Sequence, residues 1–384
     1  MATFDVAVIG LGAMGSAALF NLAHQGRRVI GIEQFEPGHD KGSSHGESRI
    51  IRLSYFEHPS YVPLARRAME KWRELEQLCG KTLLTVTGML EAGYPGCPVV
   101  EGSLEASRQH ELEHEMLGAA EINRRFPAFR LPSNWTGLYQ PDAGFLRPEL
   151  AIQQFVALAE RNGAEVRTRT RVLAIEPLHA GIRVRTDDGV IEAGSVIVAA
   201  GAWIGDFAPE LKPQLTLTRQ VLGWFSPLRP ARYTPENCPV FFFESEEDGC
   251  YGFPDFAGTG VKVASHRKGA VLSRADALSQ DGNASDEAQI RRMLALAMPD
   301  ANGPLRAMRT CIYTRTPDED FVIDRSSVDP RVVLASPCSG HGFKFASVIG
   351  EVLADLALGK TPANDISRFQ IDRFRSGSGI GGRS

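Results

Sequence analysis

The chain has no run of about 18 apolar residues, so no segment reads as a helix crossing a bilayer. Its N-terminus has no basic region, and the apolar run there, VAVIGLGAMG, is broken by glycines, which argues against a secretory signal. Cysteine is scarce: six in 384 residues (Cys79, Cys97, Cys238, Cys250, Cys311, Cys338) and no CxxC pair. That excludes a dense disulfide framework, calls for no metal, and points to reduced thiols in a cytoplasmic protein. Excess charge is also missing. The net value of −4 leaves no basic footprint for nucleic acid or an anionic membrane. Nothing recurs at a fixed period, which removes solenoids and propellers.

Apolar residues, at 43%, are plentiful enough to exclude disorder and to fill large cores. At ~100–200 residues per domain, the length suggests two or three structural units. The first 34 residues carry the clearest pattern. Phe4 to Ile9 is a short apolar run rich in β-branched residues, as a buried parallel strand requires. Gly10-Leu11-Gly12-Ala13-Met14-Gly15 follows at once. Ser16 to Gln25 reads as a helix with Leu19, Leu22 and Ala23 on one face, Gly26 ends it, and Arg28 to Glu33 reads as a second strand. Together they form one βαβ unit.

Further helices are expected over Tyr61–Cys79, Pro148–Arg161 and Ser347–Leu358, and strands over Glu165–Arg167, Arg171–Ile175, Gly181–Thr186, Ser195–Gly201 and Val332–Ala335. Strand–helix signals cluster in residues 1–60, 146–205 and 320–360. The segments Pro227–Pro239 and Ala277–Asp286 read as surface. The fold class is therefore α/β plus α+β. A Rossmann-type domain is built from residues 1–85, 146–217 and 320–384, and a mixed-sheet substrate domain is inserted from residues 86–145 and 218–319.

Gly10, Gly12 and Gly15 fit the dinucleotide fingerprint: one glycine for the tight turn, one for approach to the pyrophosphate, one for helix–strand packing. Glu33, at the end of the next strand, is placed to accept bonds from ribose hydroxyls and disfavours a 2′-phosphate, hence NADP. The fingerprint alone leaves FAD and NAD open. Two further segments are dense in chemistry. Lys41 to Arg52 crowds small residues, His45, Arg49 and Arg52 into a stretch without core periodicity, which suits a loop cradling a polar ligand. Ser336 to Phe345 alternates glycines before the last helix, with His341 and Lys344 among them. The plain readings are a solvated basic loop and a glycine-rich helix entry with a surface lysine.

The combination resembles the monomeric sarcosine oxidase family, which includes N-methyltryptophan oxidase and pipecolate oxidase. The matching stretches are AVIGLGAMGSA, GSSHGESRIIR, CYGFP, GVKVASH, CIYTRTPDEDFVID and SGHGFKF, in order over nearly the whole chain. The resemblance implies FAD, a two-domain fold like that of D-amino-acid oxidase, a monomer, and oxidation of secondary amino acids by O2 with release of H2O2. It implies a covalent thioether to the flavin through Cys311, with Cys338 as a competing thiol. His45 and Arg49 match residues lying against the flavin ring. Arg52 and Lys344 match the pair that binds the substrate carboxylate. Tyr251 and His266 match residues of the substrate cavity, with Tyr313 and His341 near it. Lys262 matches the lysine that promotes reaction with oxygen, and Val172 the residue whose backbone meets adenine. Ser43, Ser44, Ser48, Gly201, Gly340, Gly342, Phe343 and Lys344 join Gly10, Gly12, Gly15 and Glu33 as expected cofactor contacts. The sequence departs from the family pattern at Glu33 (aspartate in close relatives), Ser44 (histidine in some), Ser48 (threonine) and Pro337-Cys338 (glycine and often an aromatic).

The expected chemistry is positioning of a C–H bond against the flavin by a carboxylate anchor, then hydrolysis of an acyclic imine to amine and aldehyde. A fixed cation, Lys262, would lower the barrier to reducing O2. Phe241, Phe242 and Phe243 offer an aromatic wall of which one face points inward. Cavity size then depends on the segment Phe241–Glu247 and the region around Tyr55, so larger N-methyl or cyclic amino acids fall within range. The alternatives are a primary-amine oxidase acting on glycine or D-amino acids, an NAD-dependent dehydrogenase, and a non-catalytic flavoprotein.

Overall fold

A computed structural model describes residues 3–267 and 269–374. Phe4–Ile9 lies mid-sheet, in parallel register with Val29–Ile32 on one side and Gly189–Val198 on the other. Glu165–Arg167 extends the sheet beyond Val29–Ile32, and Val332–Ser336 beyond Gly189–Val198, both in parallel. Val322–Arg325 and the hairpin of Val172–Leu178 with Gly181–Thr186 add antiparallel strands, making eight. Central residues such as Val6, Val8 and Ile197 are fully buried, because both faces of a parallel sheet are covered. Helices Ala13–His24, Pro148–Arg161 and Ala346–Ala357 pack together on one side.

A second sheet has nine strands. Its middle runs Val261–Ser265, Gly249–Phe253, Val240–Glu244, Met89–Gly93 and Thr136–Gln140 in spatial order. Thr216–Phe225 pairs with Leu305–Arg315 along ten register positions at one end. A third, three-stranded sheet joins Arg49–Ile51 and Leu84–Val86 to Gly144–Leu146. It carries the chain from the first sheet to the second, so Arg49 and Arg52 stand at the seam.

The helix expected from Ser16 starts at Ala13, directly after the glycine turn, because the first turn uses backbone groups and needs no apolar side chain. Tyr61–Cys79 is observed as Val62–Cys79, ending on Gly80 at φ +65°. Two expectations fail. Ala277–Asp286 is not all surface loop: a helix begins at Ala284, fixed by a capping box between Asn283 and Asp286. Pro227–Pro239 is not a plain surface segment, since Tyr233 and Cys238 are fully buried and the Tyr233 hydroxyl donates to Ala128 O. Helices Pro98–Gln109 and Ala119–Arg125 were not anticipated.

Candidate functional site

One cavity of about 520 Å³ runs from the glycine turn to the seam between the two large sheets. Gly10, Gly12 and Glu33 line one end, Val172 and Gly201 its flank, and Ser43, Ser44 and Arg49 its middle. Gly340, His341, Gly342, Phe343 and Lys344 line the far part with Arg52, Tyr251, His266 and Tyr313. Seventeen of the sequence-selected residues therefore share one wall. Gly15, His45, Ser48, Lys262 and Cys311 do not reach it and stand behind it.

At the glycine end the geometry suits a dinucleotide. A Cβ on Gly15 would fall 1.8 Å from Gly10 O, so this glycine serves helix–strand packing and does not contact a ligand. A Cβ on Gly12 would meet nothing within 4 Å, which leaves the backbone free to receive a pyrophosphate. Glu33 is 4% exposed and is no surface acid. Its Oε2 accepts from Leu11 N (2.8 Å) and its Oε1 from Phe35 N (3.0 Å), which ties the glycine turn to the strand end and keeps lone pairs for ribose hydroxyls. At the other end a Cβ on Gly342 would fall 1.6 Å from Pro337 O, so only glycine allows the tight 337–342 turn.

The loop 43–49 is held from three sides. The Ser43 hydroxyl donates to Ile312 O (2.6 Å) and Arg49 Nη2 to Ser43 O (2.9 Å). Glu149 Oε1 accepts from Gly46 N (2.6 Å) and Glu47 N (3.0 Å). Lys262 lies beneath, 2% exposed, donating to Gly46 O (2.6 Å), Ser48 O (2.7 Å) and Ser48 Oγ (3.2 Å). Burial, then Arg49, pulls its pKa well below the lysine norm. A strand lysine facing water is thereby excluded. Burial, then Arg49, also holds His45 neutral, with a pKa of about 4, and its Nε2 is buried without a partner.

Two cations mark the far end. The Arg52 guanidinium lies 4.3 Å from the Tyr55 ring centre and 4.4 Å from that of Phe56. Its Nη2 meets Glu57 Oε2 at 2.5 Å and its Nη1 meets Ser54 O at 2.6 Å. Burial would raise the Glu57 pKa, but Arg52, His341 and Lys344 outweigh it and hold the carboxyl at about 2. Lys344 Nζ stands 5.2 Å from the same Tyr55 ring and donates to His341 O (2.7 Å). Among the described residues no carboxylate lies within ion-pair distance of it. Burial, reinforced by Arg52, lowers its pKa to about 7. Lys344 is thus a buried lysine without a direct ion pair and not a surface lysine.

Apart from the carboxyl groups, the polar side chains around this pair are tyrosines and histidines. The Tyr251 and Tyr313 hydroxyls meet at 3.0 Å. Burial holds His266 neutral with a pKa of about 4, and Phe242 packs on it at 4.7 Å. His341 Nε2 meets Glu319 O (3.0 Å), so its Nδ1 is assigned to accept from the Tyr55 hydroxyl (2.5 Å). Of the three phenylalanines, Phe242 alone faces the cavity, and Phe241 and Phe243 pack against Phe129. Cys311 is 1% exposed on the same side of its strand as Tyr313. Burial raises its pKa, while Arg49 and Lys262 act the other way. Cys338 lines the cavity, with its pKa pushed up by burial to about 11.

Phe56, Glu57, Glu91, Glu149 and the role of Tyr55 escaped the sequence reading. The proximity of Phe56 and Glu57 to Arg52 was the one available signal. Glu91 and Glu149 are brought to the site by distant strands and helices, and nothing local marks them.

Fold and site together define a dinucleotide-dependent oxidoreductase with two buried cationic side chains at the far end of the cleft. The sequence profile of the FAD dependent oxidoreductase family, DAO, matches residues 5–356, and the chain belongs to that family. It is 41% identical to a monomeric sarcosine oxidase of Streptomyces avermitilis over 377 residues, covering 97% of this chain and 98% of that one. It is 35% identical to an N-methyl-L-tryptophan oxidase of Citrobacter koseri, covering 97% and 99%. Among solved structures, the amino acid oxidase NikD in its open form superposes with a TM-score of 0.85 at 25% identity, covering 96% and 98%. FAD is therefore the cofactor, and the NAD reading is set aside.

Proposed function

We propose that the protein oxidises the CH–NH bond of a small secondary amino acid, an N-methyl or cyclic one, with O2 as final acceptor. The observation that carries this is the Arg52–Lys344 pair, both cations packed on the Tyr55 ring inside the cleft. The names of the relatives, sarcosine and N-methyltryptophan oxidases, support the same substrate class.

Arg52 and Lys344 bind the substrate carboxylate, Lys344 gaining the direct ion pair it lacks. This orients the amine toward Tyr251, Tyr313 and His266. Neutral imidazoles and hydroxyls there, with cations on both sides, disfavour an ammonium and favour the neutral amine with its lone pair. FAD, held along Gly10, Gly12, Glu33, Ser43, Ser44 and Gly342, would supply acceptance of two electrons from the C–N unit and their return to O2 as H2O2. Water hydrolyses an acyclic imine, so sarcosine would yield glycine and formaldehyde. Lys262 places a fixed cation where O2 takes up negative charge. Cys311 tethers the flavin through a thioether, a reading supported by its place on the same strand side as Tyr313 and by the charges of Arg49 and Lys262, which favour its thiolate. The name of a relative, monomeric sarcosine oxidase, supports a functional monomer, and six free thiols favour a cytoplasmic setting.

The test is anaerobic mixing of the yellow holoenzyme with sarcosine, pipecolate, N-methyltryptophan, proline and glycine, followed by air. Bleaching by a secondary amino acid, then peroxide on reoxidation, supports the proposal. Bleaching by glycine alone would favour the primary-amine reading, and no bleaching by any of them would refute both.

A further inference from the structure

A fourth ionisable group lies under the anchor. Glu91 sits mid-strand in Met89–Gly93, 1% exposed. Its register partners are Phe242 on one side and Leu138 on the other, and Phe242 in turn pairs with Tyr251. Glu91 therefore shares the sheet face with two cavity-lining side chains, one row behind them. Its Oε1 is 3.7 Å from Arg52 Nη1 and has no hydrogen-bond partner. A carboxyl group in the middle of an apolar sheet is costly to bury, so its place against the guanidinium calls for a function.

The charges indicate one. Arg52 and Lys344 face Glu57 and Glu91, and the four balance when all are ionised. An incoming substrate carboxylate adds a third anion to these buried groups. One carboxyl must then take a proton. Glu57, in direct contact with Arg52 and held at about 2, is the wrong one. Glu91, farther from Arg52 and with a free oxygen, is the right one. The groups that face it are Arg52, Glu57 and Lys344, with the Ser103 hydroxyl from helix Pro98–Gln109. Burial outweighs Arg52 and raises its pKa to about 7.

We propose that Glu91 is a positioning residue of the carboxylate anchor, holding Arg52 in the empty site and taking up one proton from solvent when a substrate carboxylate binds. The O–H bond forms on Glu91, the carboxylate keeps its charge, and no electrons move. This rests on the reading of Arg52 and Lys344 as the anchor.

The test uses the holoenzyme and methoxyacetate, which has the shape of sarcosine but an ether in place of the amine. Calorimetric titration at pH 8.5 in two buffers of different ionisation enthalpy reads the protons taken up. Wild type should take up close to one proton per site more than Glu91→Gln, and its affinity should fall more steeply than the variant's as pH rises above the Glu91 transition. In Glu91→Gln only the uptake that belongs to Lys344, whose pKa of about 7 leaves it largely deprotonated at this pH, should remain. An infrared difference spectrum of wild type should gain the C=O stretch of a protonated carboxylic acid on binding, which decides the matter if the variant does not fold. Unchanged uptake in Glu91→Gln, or a wild-type spectrum without that band, would assign the proton to Lys344 and overturn the proposal. Methoxyacetate that fails to bind wild type at any pH would overturn the anchor reading as well.

Discussion

Replacing Lys262 with methionine separates the two halves of the proposed reaction. The side chain keeps its length and its packing on Phe253, whose ring centre is 4.4 Å from Nζ. What disappears is one positive charge and three hydrogen bonds, to Gly46 O, Ser48 O and Ser48 Oγ. The charge is not alone. A Cβ built on Gly46 would lie 3.6 Å from Lys262 Nζ and 3.5 Å from Arg49 Nη1, so two cations flank one point of the loop. A unit charge ~5 Å from a forming anion, at an effective dielectric of ~20, contributes about 3 kcal/mol. That corresponds to roughly two orders of magnitude in rate, with Arg49 left to support the remainder.

The assay is stopped-flow spectroscopy of both half-reactions. Flavin reduction by the best amino acid from the panel should change by less than tenfold, because the carboxylate anchor is untouched. Reoxidation by O2 should slow by about a hundredfold. The two vacated carbonyls cost on the order of 1–3 kcal/mol each in stability, partly offset by removal of a buried charge, so the variant is expected to fold. Equal slowing of the two half-reactions would refute the oxygen role, since a general disturbance of the loop would then explain both.

Three further predictions follow from the same geometry. Cys311→Ser should release its flavin into the supernatant on acid precipitation, whereas wild type and Cys338→Ser should keep a yellow pellet; colour retained by Cys311→Ser would move the tether elsewhere. Arg52→Ala should weaken methoxyacetate binding by ~10–100-fold, the loss of a charged hydrogen bond of about 1.5–3 kcal/mol, and unchanged affinity would remove Arg52 from the anchor. His45 and His266 have folded pKa values of about 4, below the imidazole norm, so the unfolded chain binds more protons between the two values and stability falls as pH drops from about 6.5 toward 4. The urea midpoint should decline across that window, and His266→Gln should shallow the decline; a midpoint flat from pH 7 to 4.5 would show that these imidazoles are not buried neutral.

The glycine fingerprint was legible because the turn, the helix start and the acid are fixed by local chain geometry within 33 residues. Loop 41–52 and the turn 336–345 were legible for a related reason. Glycine, serine and charged residues there break any core periodicity, and backbone positions such as Gly342 tolerate no other side chain. Val62–Cys79 and Pro148–Arg161 carried strong apolar stripes with glycine or proline at their ends. The helix from Ala284 did not, and its capping box lay inside what read as polar loop.

What lay beneath the anchor had no local sign. Glu91 follows Met89-Leu90 and precedes Ala92-Gly93, and in such a run a lone acid reads as the solvent-facing member of an edge strand. It is buried because the strand stands between Val240–Glu244 and Thr136–Gln140, three chain segments separated by tens of residues. Glu149 is likewise an ordinary first-turn acid of its helix until the loop 45–48 folds over it and donates two backbone N–H groups. Both acids act through backbone or guanidinium donors that arrive from elsewhere in the chain. A pair of like charges can be buried only if such groups surround it. Which acids they were depended on sheet order, and that is set by long-range pairing.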